Sequence, residues 1–461
     1  MQTKKTLHFS LRKLSTGLAS CMICATTLLS VATPVFAASD TQDLNVNKII
    51  KNRAKQAQAV NAGDGEAAAT AGQASTPSKH TLRSVLRVEA GHVKTPKRFQ
   101  SGSREWGKLN LSDWQMSQDT NGNMELTDYA GDKSHIVIPN SEDLIKAGKL
   151  SEGKKVVLKA QTMQKIVRDD QPESIAISDT VGGKLTAIPE DNTAAGDDWN
   201  MAFTDHHDSE DVTDDTRTPH QIKDLDKFNP NLKRMDLTNL DLSQVHTING
   251  MLAGAENCET FGDLSKWDTS NITDMGFLFA NDPKVETLGY LSGWKTNKNT
   301  NFNSIFEDDT NITNLSDLSD WDVSNGTNFA YLFANMHSLS NLGDLSKWNM
   351  GNATRINDMF QEDRALQSVG DLSNWNTHNV TNMVGLFNNA TNLVNVGNLD
   401  NWDVSHVTDA HGLFAGAASL ANVGKLDNWN VSNIKDANGM FHGALKLTRN
   451  WWLCADRLES G

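Results

Sequence analysis

Seven tryptophans follow one another at intervals of 27 residues without a slip: Trp267, Trp294, Trp321, Trp348, Trp375, Trp402 and Trp429. Twelve residues after each comes a phenylalanine: Phe279, Phe306, Phe333, Phe360, Phe387, Phe414 and Phe441. Three residues before each is a leucine, from Leu264 to Leu426. A period of this length, held without insertion, is the signature of stacked repeats and restricts the fold more than any local motif does. One earlier copy carries Leu237, Leu240 and Leu252 in the Leu, Trp and Phe places, which makes eight coils over residues 228–448.

With Trp as position zero, apolar residues recur at −3, 0, +8, +11, +12, +18 and +21, and in several coils at +5 (Ile272, Val380, Val407, Ile434). Positions +5, +8 and +12 have the spacing of one helical face. Asn at +4 (Asn271, Asn325, Asn352, Asn379, Asn433) or Ser at +3 is suited to cap such a helix. Each coil therefore reads as a short strand around Leu and Trp, a turn, a short helix and a loop. A single coil has too little apolar surface to fold alone, so each Trp must be buried by the coils before and after it. A solvent-facing aromatic stripe that binds glycan is the other reading of seven regularly spaced Trp residues. The register they share with Leu and Phe favours the core. The expected fold is a leucine-rich-repeat-like solenoid of short strand and short helix coils with a 27-residue period, preceded by a small α+β module.

The ends of the chain carry different signals. Lys4, Lys5, Arg12 and Lys13 precede a mostly apolar stretch from Met22 to Ala32, and Val35-Phe36-Ala37 supplies small residues for cleavage. Residues 1–37 thus read as a secretory signal peptide, with the mature chain starting at Ala38. Phe9 to Ser20 resembles the YSIRK-G/S type of signal found on surface proteins of Gram-positive bacteria, through Phe9, Ser10, Arg12, Lys13, Gly17 and Ser20. Leu18 to Cys21 has the look of a lipobox but precedes the apolar stretch, so no lipid anchor is expected there. Loss of four cations with the leader takes the formal charge from −15 to −19, which argues against a nucleic-acid partner. Of the two cysteines left, Cys258 falls at +18, a core position. A bridge from it to Cys454 would cross about seven coils at roughly 4.8 Å each, beyond disulfide reach.

Residues 38–103 are rich in Ala, Gln, Gly and Ser and read as a disordered spacer. Residues 104–185 change character. Apolar alternation on both sides of Asn121-Gly122 predicts a hairpin. His135–Pro139 and Lys154–Ala160 read as strands, and Asn140 or Ser141 can cap a short helix between them. Residues 186–227 form an acidic linker, with ten acids and no Lys or Arg between 190 and 215. Inside it, Asp205–Asp211 contains His206 and His207, ligand types that suit Zn²⁺. No second cluster or helical spacing supports a site there, and a solvated charge run is the preferred reading. Asp119 opens a stretch like a calcium-binding loop, but Met124 stands where Gly is needed and Ala130 where Glu is needed.

The repeat consensus, clearest in Lys266–Phe279 and Asn401–Phe414, resembles that of BspA-like leucine-rich-repeat surface proteins, found in lactobacilli and relatives and, in a related form, in mycoplasma lipoproteins. The resemblance covers about residues 228 to 448, and the hairpin module also looks like the region preceding the repeats in lactobacillus members. It implies an extracellular, wall-associated protein that mediates adhesion or host contact. The implied partner is a host-surface or matrix protein or a glycan, bound by a monomer that has no further contact with the membrane once the signal is cleaved. A structural wall stalk without a specific ligand is the alternative. No catalytic, cofactor-binding or metal-ligating residues are expected, because repeat position accounts for nearly every acid and His in the C-terminal half. The pattern fails after Leu447: Asn450 and Asp456 occupy apolar and Trp places, and no sorting motif follows. Residues 449–461 read as an aberrant or truncated tail, or else as a cap formed by Trp451 and Trp452.

Overall fold

The computed structural model describes residues 93–189, 198–203 and 230–447. The expected signal peptide, the expected spacer up to residue 92, Cys454, the His206-His207 stretch and the expected tail from residue 449 lie outside the described residues.

Among the described residues the first strands form an antiparallel hairpin, β1 (Trp114–Gln118) and β2 (Met124–Tyr129). The Asp119 carboxylate accepts the N–H groups of Asn121 and Asn123, and Gly122 takes the left-handed conformation (φ 81°) that the turn demands. β3 (His135–Ile138) leads into helix α1 (Ser141–Lys146). Asn140 caps α1 with a full capping box, its side chain accepting from the Asp143 N–H while Asp143 accepts from its own. β4 (Val156–Lys159), α2 (Ala160–Asp170), β5 (Ser174–Ile177), β6 (Leu185–Ile188), β7 (Arg234–Asp236) and β8 (Leu240–Asp241) follow.

All strand pairings after the hairpin are parallel. One sheet runs β1-β2-β4-β6-β8 and the other β3-β5-β7. Successive turns of the chain thus contribute one strand to each sheet. Val156 lies beside Leu185, and Leu185 beside Leu240, which occupies the Trp place of the first recognised coil. The α+β segment is therefore continuous with the repeats, and a single hydrophobic core extends from Trp114 to Leu447. The expected linker takes part in it. Within residues 198–203, Trp199, Met201 and Phe203 donate their N–H groups to the Thr247, Asn249 and Met251 carbonyls, and Trp199 and Phe203 are buried. The expected spacer also ends earlier than residue 103. Asp236, itself buried, binds Arg98 Nε at 2.8 Å and the Phe99 N–H at 2.5 Å. Lys97 and Lys94 pair with Glu259 and Glu286 of successive coils, whose Thr260 and Thr287 hydroxyls donate to the carbonyls of the same two lysines.

Within the 27-residue coils the secondary structure departs from expectation. Where a strand was expected, Leu264–Lys266, Leu291–Gly293, Leu345–Lys347, Leu372–Asn374 and Leu399–Asn401 form single 3₁₀ turns, and the Trp after each is extended. Where a short helix was expected, a chain of tight turns stands. Positions +10 and +14 are left-handed, as at Tyr331 (φ 57°), Asn335 (φ 63°), Asp358 (φ 55°) and Glu362 (φ 61°). Backbone N–H groups alternate between the turn within the coil (Leu332 to the Phe329 carbonyl) and the next coil (Tyr331 to Asn357, Phe333 to Met359). The reason is spacing. Phe rings one coil apart lie 5.7 Å from centroid to centroid between Phe279 and Phe414. Helices pack no closer than about 8–10 Å, so a helix in every coil does not fit. The Asn residues at +4 do not cap helices either. Asn271, Asn325, Asn352, Asn379 and Asn433 each donate from Nδ2 to the backbone carbonyl at +3 of the preceding coil.

The close stack accounts for the glycines at +22. Gly370 has φ 88°, and a Cβ there would collide with the Asp344 carboxylate of the coil beneath. In the middle of the stack, Trp348→Ala is expected to cost about 3–5 kcal/mol, as for other buried Trp residues. Thermal unfolding of the full chain checks this. A loss no larger than that of the surface change Lys347→Ala would contradict a buried Trp column.

Candidate functional site

The seven tryptophans are 2–3% exposed. A buried indole N–H needs an acceptor. Each Nε1 finds one 2.8–3.0 Å away, on the carbonyl of the −3 leucine of the preceding coil: Trp267 on Leu237, Trp294 on Leu264, Trp321 on Leu291, Trp348 on Leu318, Trp375 on Leu345, Trp402 on Leu372 and Trp429 on Leu399. Phe279, Phe306, Phe333, Phe360, Phe387 and Phe414 are fully buried in a second column beside the first. Phe441, in the last described coil, is half-buried. No glycan could reach this aromatic stripe, so any binding surface must be built from other positions. Cys258 is also buried, its thiol bonded to the Thr260 carbonyl at 3.1 Å and pushed up in pKa by burial.

Two groups of positions outside the core differ in kind. One edge is nearly the same in every coil, because its side chains fasten neighbours. The hydroxyls of Thr273, Thr300, Thr327, Thr354, Thr381 and Thr408 at +6 each donate to the carbonyl of the equivalent residue one coil earlier. The Asn clips at +4 flank them. The other face is formed by the tight turns at +7, +9, +10, +13 and +14, and here the residues differ from coil to coil. In the six coils from Trp267 to Trp402 these positions hold six acids, of which Asp274, Glu362 and Asp409 are half-buried and Glu307, Asp308 and Asp358 buried, together with Arg355 and the exposed His411. At its start, Met201, Ala253, Phe277 and Ala280 form a small apolar cluster separate from the main core.

Several of these acids sit in unusual electrostatic surroundings. Asp358 is mostly buried, which pushes its carboxyl up to about 6 despite hydrogen bonds from Asn357 and Tyr331 and the nearby His411. One position further along the turn, Asp282, Asp309 and Asp363 at +15 are fully buried. Each accepts the N–H of the +15 residue one coil earlier (Ala255, Asp282 and Met336), leaving the second oxygen without a partner. Burial holds all three carboxyls well above the usual range, and the proximity of Asp282 adds to the effect at Asp309.

On the clip edge, one juxtaposition was not visible in the sequence. His378 at +3 of one coil meets Asp403 (+1) and His406 (+4) of the next. His378 Nδ1 lies 2.8 Å from Asp403 Oδ2, and the two imidazoles meet edge-on with centroids 4.8 Å apart. The hydrogen bond from His378 holds the Asp403 carboxyl well below the usual range. Residues 25 and 28 apart carry no motif, and only the coil register brings them together.

The comparisons with known proteins follow the repeats. The family described as "Mycoplasma protein of unknown function, DUF285" matches residues 220–340, 251–370 and 364–453, which together span just over half of the chain. The chain belongs to this family. Its matched region covers the coils described above and agrees with the resemblance of their consensus to the mycoplasma form of the repeat. No curated protein matches the chain. Among solved structures, a leucine-rich cell surface protein from Faecalibacterium prausnitzii A2-165 is 13% identical, with 78% of this chain and 97% of that one covered and a TM-score of 0.32. At that depth of likeness nothing is transferred from it to this chain. Among the described residues, no helix is long and apolar enough to cross a membrane.

The raised Asp358 carboxyl makes stability depend on pH. A folded pKa above the unfolded one means that the native state holds the proton more tightly. The stabilisation is complete below about pH 4, where the unfolded group is also protonated, and is lost as pH rises through about 6. Asp358→Asn is therefore expected to stabilise the protein above pH 6 by on the order of 2 kcal/mol, an advantage that vanishes by about pH 4. Urea unfolding of both proteins across that range checks the sign; a gain independent of pH would contradict it.

Proposed function

We propose that the protein is an exported, non-catalytic binding module of the bacterial cell surface, a solenoid with a 27-residue period whose variable turn face engages a protein or glycan of a host or neighbouring cell. The observation that carries this reading is the division of the outer surface. Residues that fasten the coils repeat almost unchanged, whereas those of the turn face differ from coil to coil and bring three partly accessible acids, Asp274, Glu362 and Asp409, to the surface. Export to the surface of a Gram-positive cell rests on the leader's resemblance to the YSIRK type, and the acidic face favours a ligand with basic groups. The sequence and the buried Trp column give no support to an enzyme or to a Trp-based glycan stripe.

The test is binding of the chain from Ala38 onward to mucin, matrix proteins and cell-wall polymers at low and high salt. A variant neutralised on the face (Asp274→Asn, Glu362→Gln, Asp409→Asn) is compared with it. Asn already occupies the first and third of these positions in other coils, as Asn301, Asn328 and Asn382 do, so the fold should tolerate the change. A salt-sensitive ligand whose binding falls roughly tenfold in the variant, about 1.4 kcal/mol, is the expected result. Absence of any ligand, or binding indifferent to the face, would favour the wall stalk.

A further inference from the structure

We propose that His378, Asp403 and His406 form a zinc site that fastens the Trp375 coil to the Trp402 coil. One ligand atom from each residue lies within 4.8 Å of the others, and both imidazoles are exposed at the surface. Ligands at 2.0–2.2 Å around a tetrahedral ion sit roughly 3.3 Å apart. Small rotations of two exposed imidazoles, and loss of the proton between His378 and Asp403, bring the set to that spacing. Two imidazoles and one carboxylate are a donor set suited to Zn²⁺. The fourth position would open to solvent, available to water or to a donor from a bound partner.

The repeat itself supplies the second argument. At +3 the other coils from Trp267 to Trp429 carry Ser, Asn or Gly, and at +4 they carry Asn or, once, Lys298. The side chain at +4 is where each coil is clipped to the one before: five coils use the Asn amide, and Lys298 binds the Asn271 side chain at 2.8 Å instead. His406 has no amide to make that clip. At that interface the preceding coil presents His378 where its counterparts present Ser, Asn or Gly, and Asp403 completes the group. Two departures from the repeat therefore coincide at one junction, on facing sides of it, and both are metal-ligand residues. A metal bound there replaces the missing amide bond with coordinate bonds across the same gap.

Zinc titration by calorimetry, together with thermal unfolding in zinc and in EDTA, tests the site. The protein is the chain from Ala38 with His206→Ala and His207→Ala, so that these two imidazoles contribute no ligand. One equivalent of Zn²⁺ should bind near neutral pH and raise the melting temperature. His378→Ser and His406→Asn should each weaken binding by more than about tenfold, the scale of losing a group that supports a metal, and should remove the zinc-dependent rise. In EDTA His406→Asn should melt no lower than the parent, because it restores the amide clip; this separates loss of metal from loss of fold. Co²⁺ in place of Zn²⁺ should give visible absorption of a tetrahedral centre that disappears in the double variant. Absence of saturable zinc binding, or binding that survives in the His378→Ser/His406→Asn double variant, would overturn the proposal.

Discussion

Each indole N–H in the repeats ends on a carbonyl of the coil before it, and the rest of the architecture follows from that bond. The donor and acceptor are 30 residues apart in sequence, from Trp267 on Leu237 to Trp429 on Leu399. For seven such bonds to form in succession, every coil must lie at the same height and rotation relative to the last. That requirement explains a 27-residue period without insertion. It also explains the 3₁₀ turn that so often precedes Trp: the turn aims the leucine side chain into the core and points its carbonyl so that it accepts both the backbone N–H of its own Trp and the indole N–H of the next coil. The stack that results is too close for helices, so the segment after Trp resolves into tight turns whose backbone groups bond across to the next coil.

A stack built this way has consequences for polar groups. A side chain at a given position always meets its counterpart one coil away. Where the residue is Thr or Asn, this produces a ladder of bonds that costs nothing in specificity. Where it is Asp, like charges meet. Asp282 and Asp309 are the extreme case, buried one above the other with one oxygen each bonded to backbone and the other without a partner. Such groups remain protonated well into the range where surface carboxyls are charged, since burial disfavours the anion. The same logic gives variety to the turn face, where alternatives such as Tyr331 and Asp358 sit at equivalent positions and bond to each other. A uniform frame with a variable face is well suited to recognition, since one surface can change without disturbing the bonds that hold the coils.

The N-terminal third shows how a repeat can begin without looking like one. β4, β6 and β8 pair in parallel as successive coils, with Val156, Leu185 and Leu240 in line below the tryptophans. Helix α2 fills the place that the turns occupy later, which is possible because coils of unequal length need not keep the later spacing on that side. The segment around Lys94, Lys97 and Arg98 is held by acids and threonines of three successive coils. Thr260 and Thr287 stand where later coils carry mostly Asn; a hydroxyl can accept from the glycine N–H two residues on and still donate to the passing backbone, which an Asn side-chain oxygen cannot.

Local chemistry was legible in the sequence. Asn121-Gly122 specifies its hairpin, Asn140 its helix start, and the 27-residue register of Leu, Trp and Phe the inward-facing set, because each depends on neighbours in the chain or on a strict period. The same pattern misled where helix and turn share a periodicity. Positions +5, +8 and +12 point inward in either case, and only the distance between coils decides against the helix. The Asn at +4 is a good helix cap in isolation, yet its amide finds a carbonyl 28 residues back. Continuity of the first strands with the repeats, docking of the segment from residue 93, the pairing of buried acids and the meeting of His378 with Asp403 and His406 were decided by tertiary structure alone. Each depends on which residues lie one coil apart, and that neighbourhood exists only once the chain has wound back over itself.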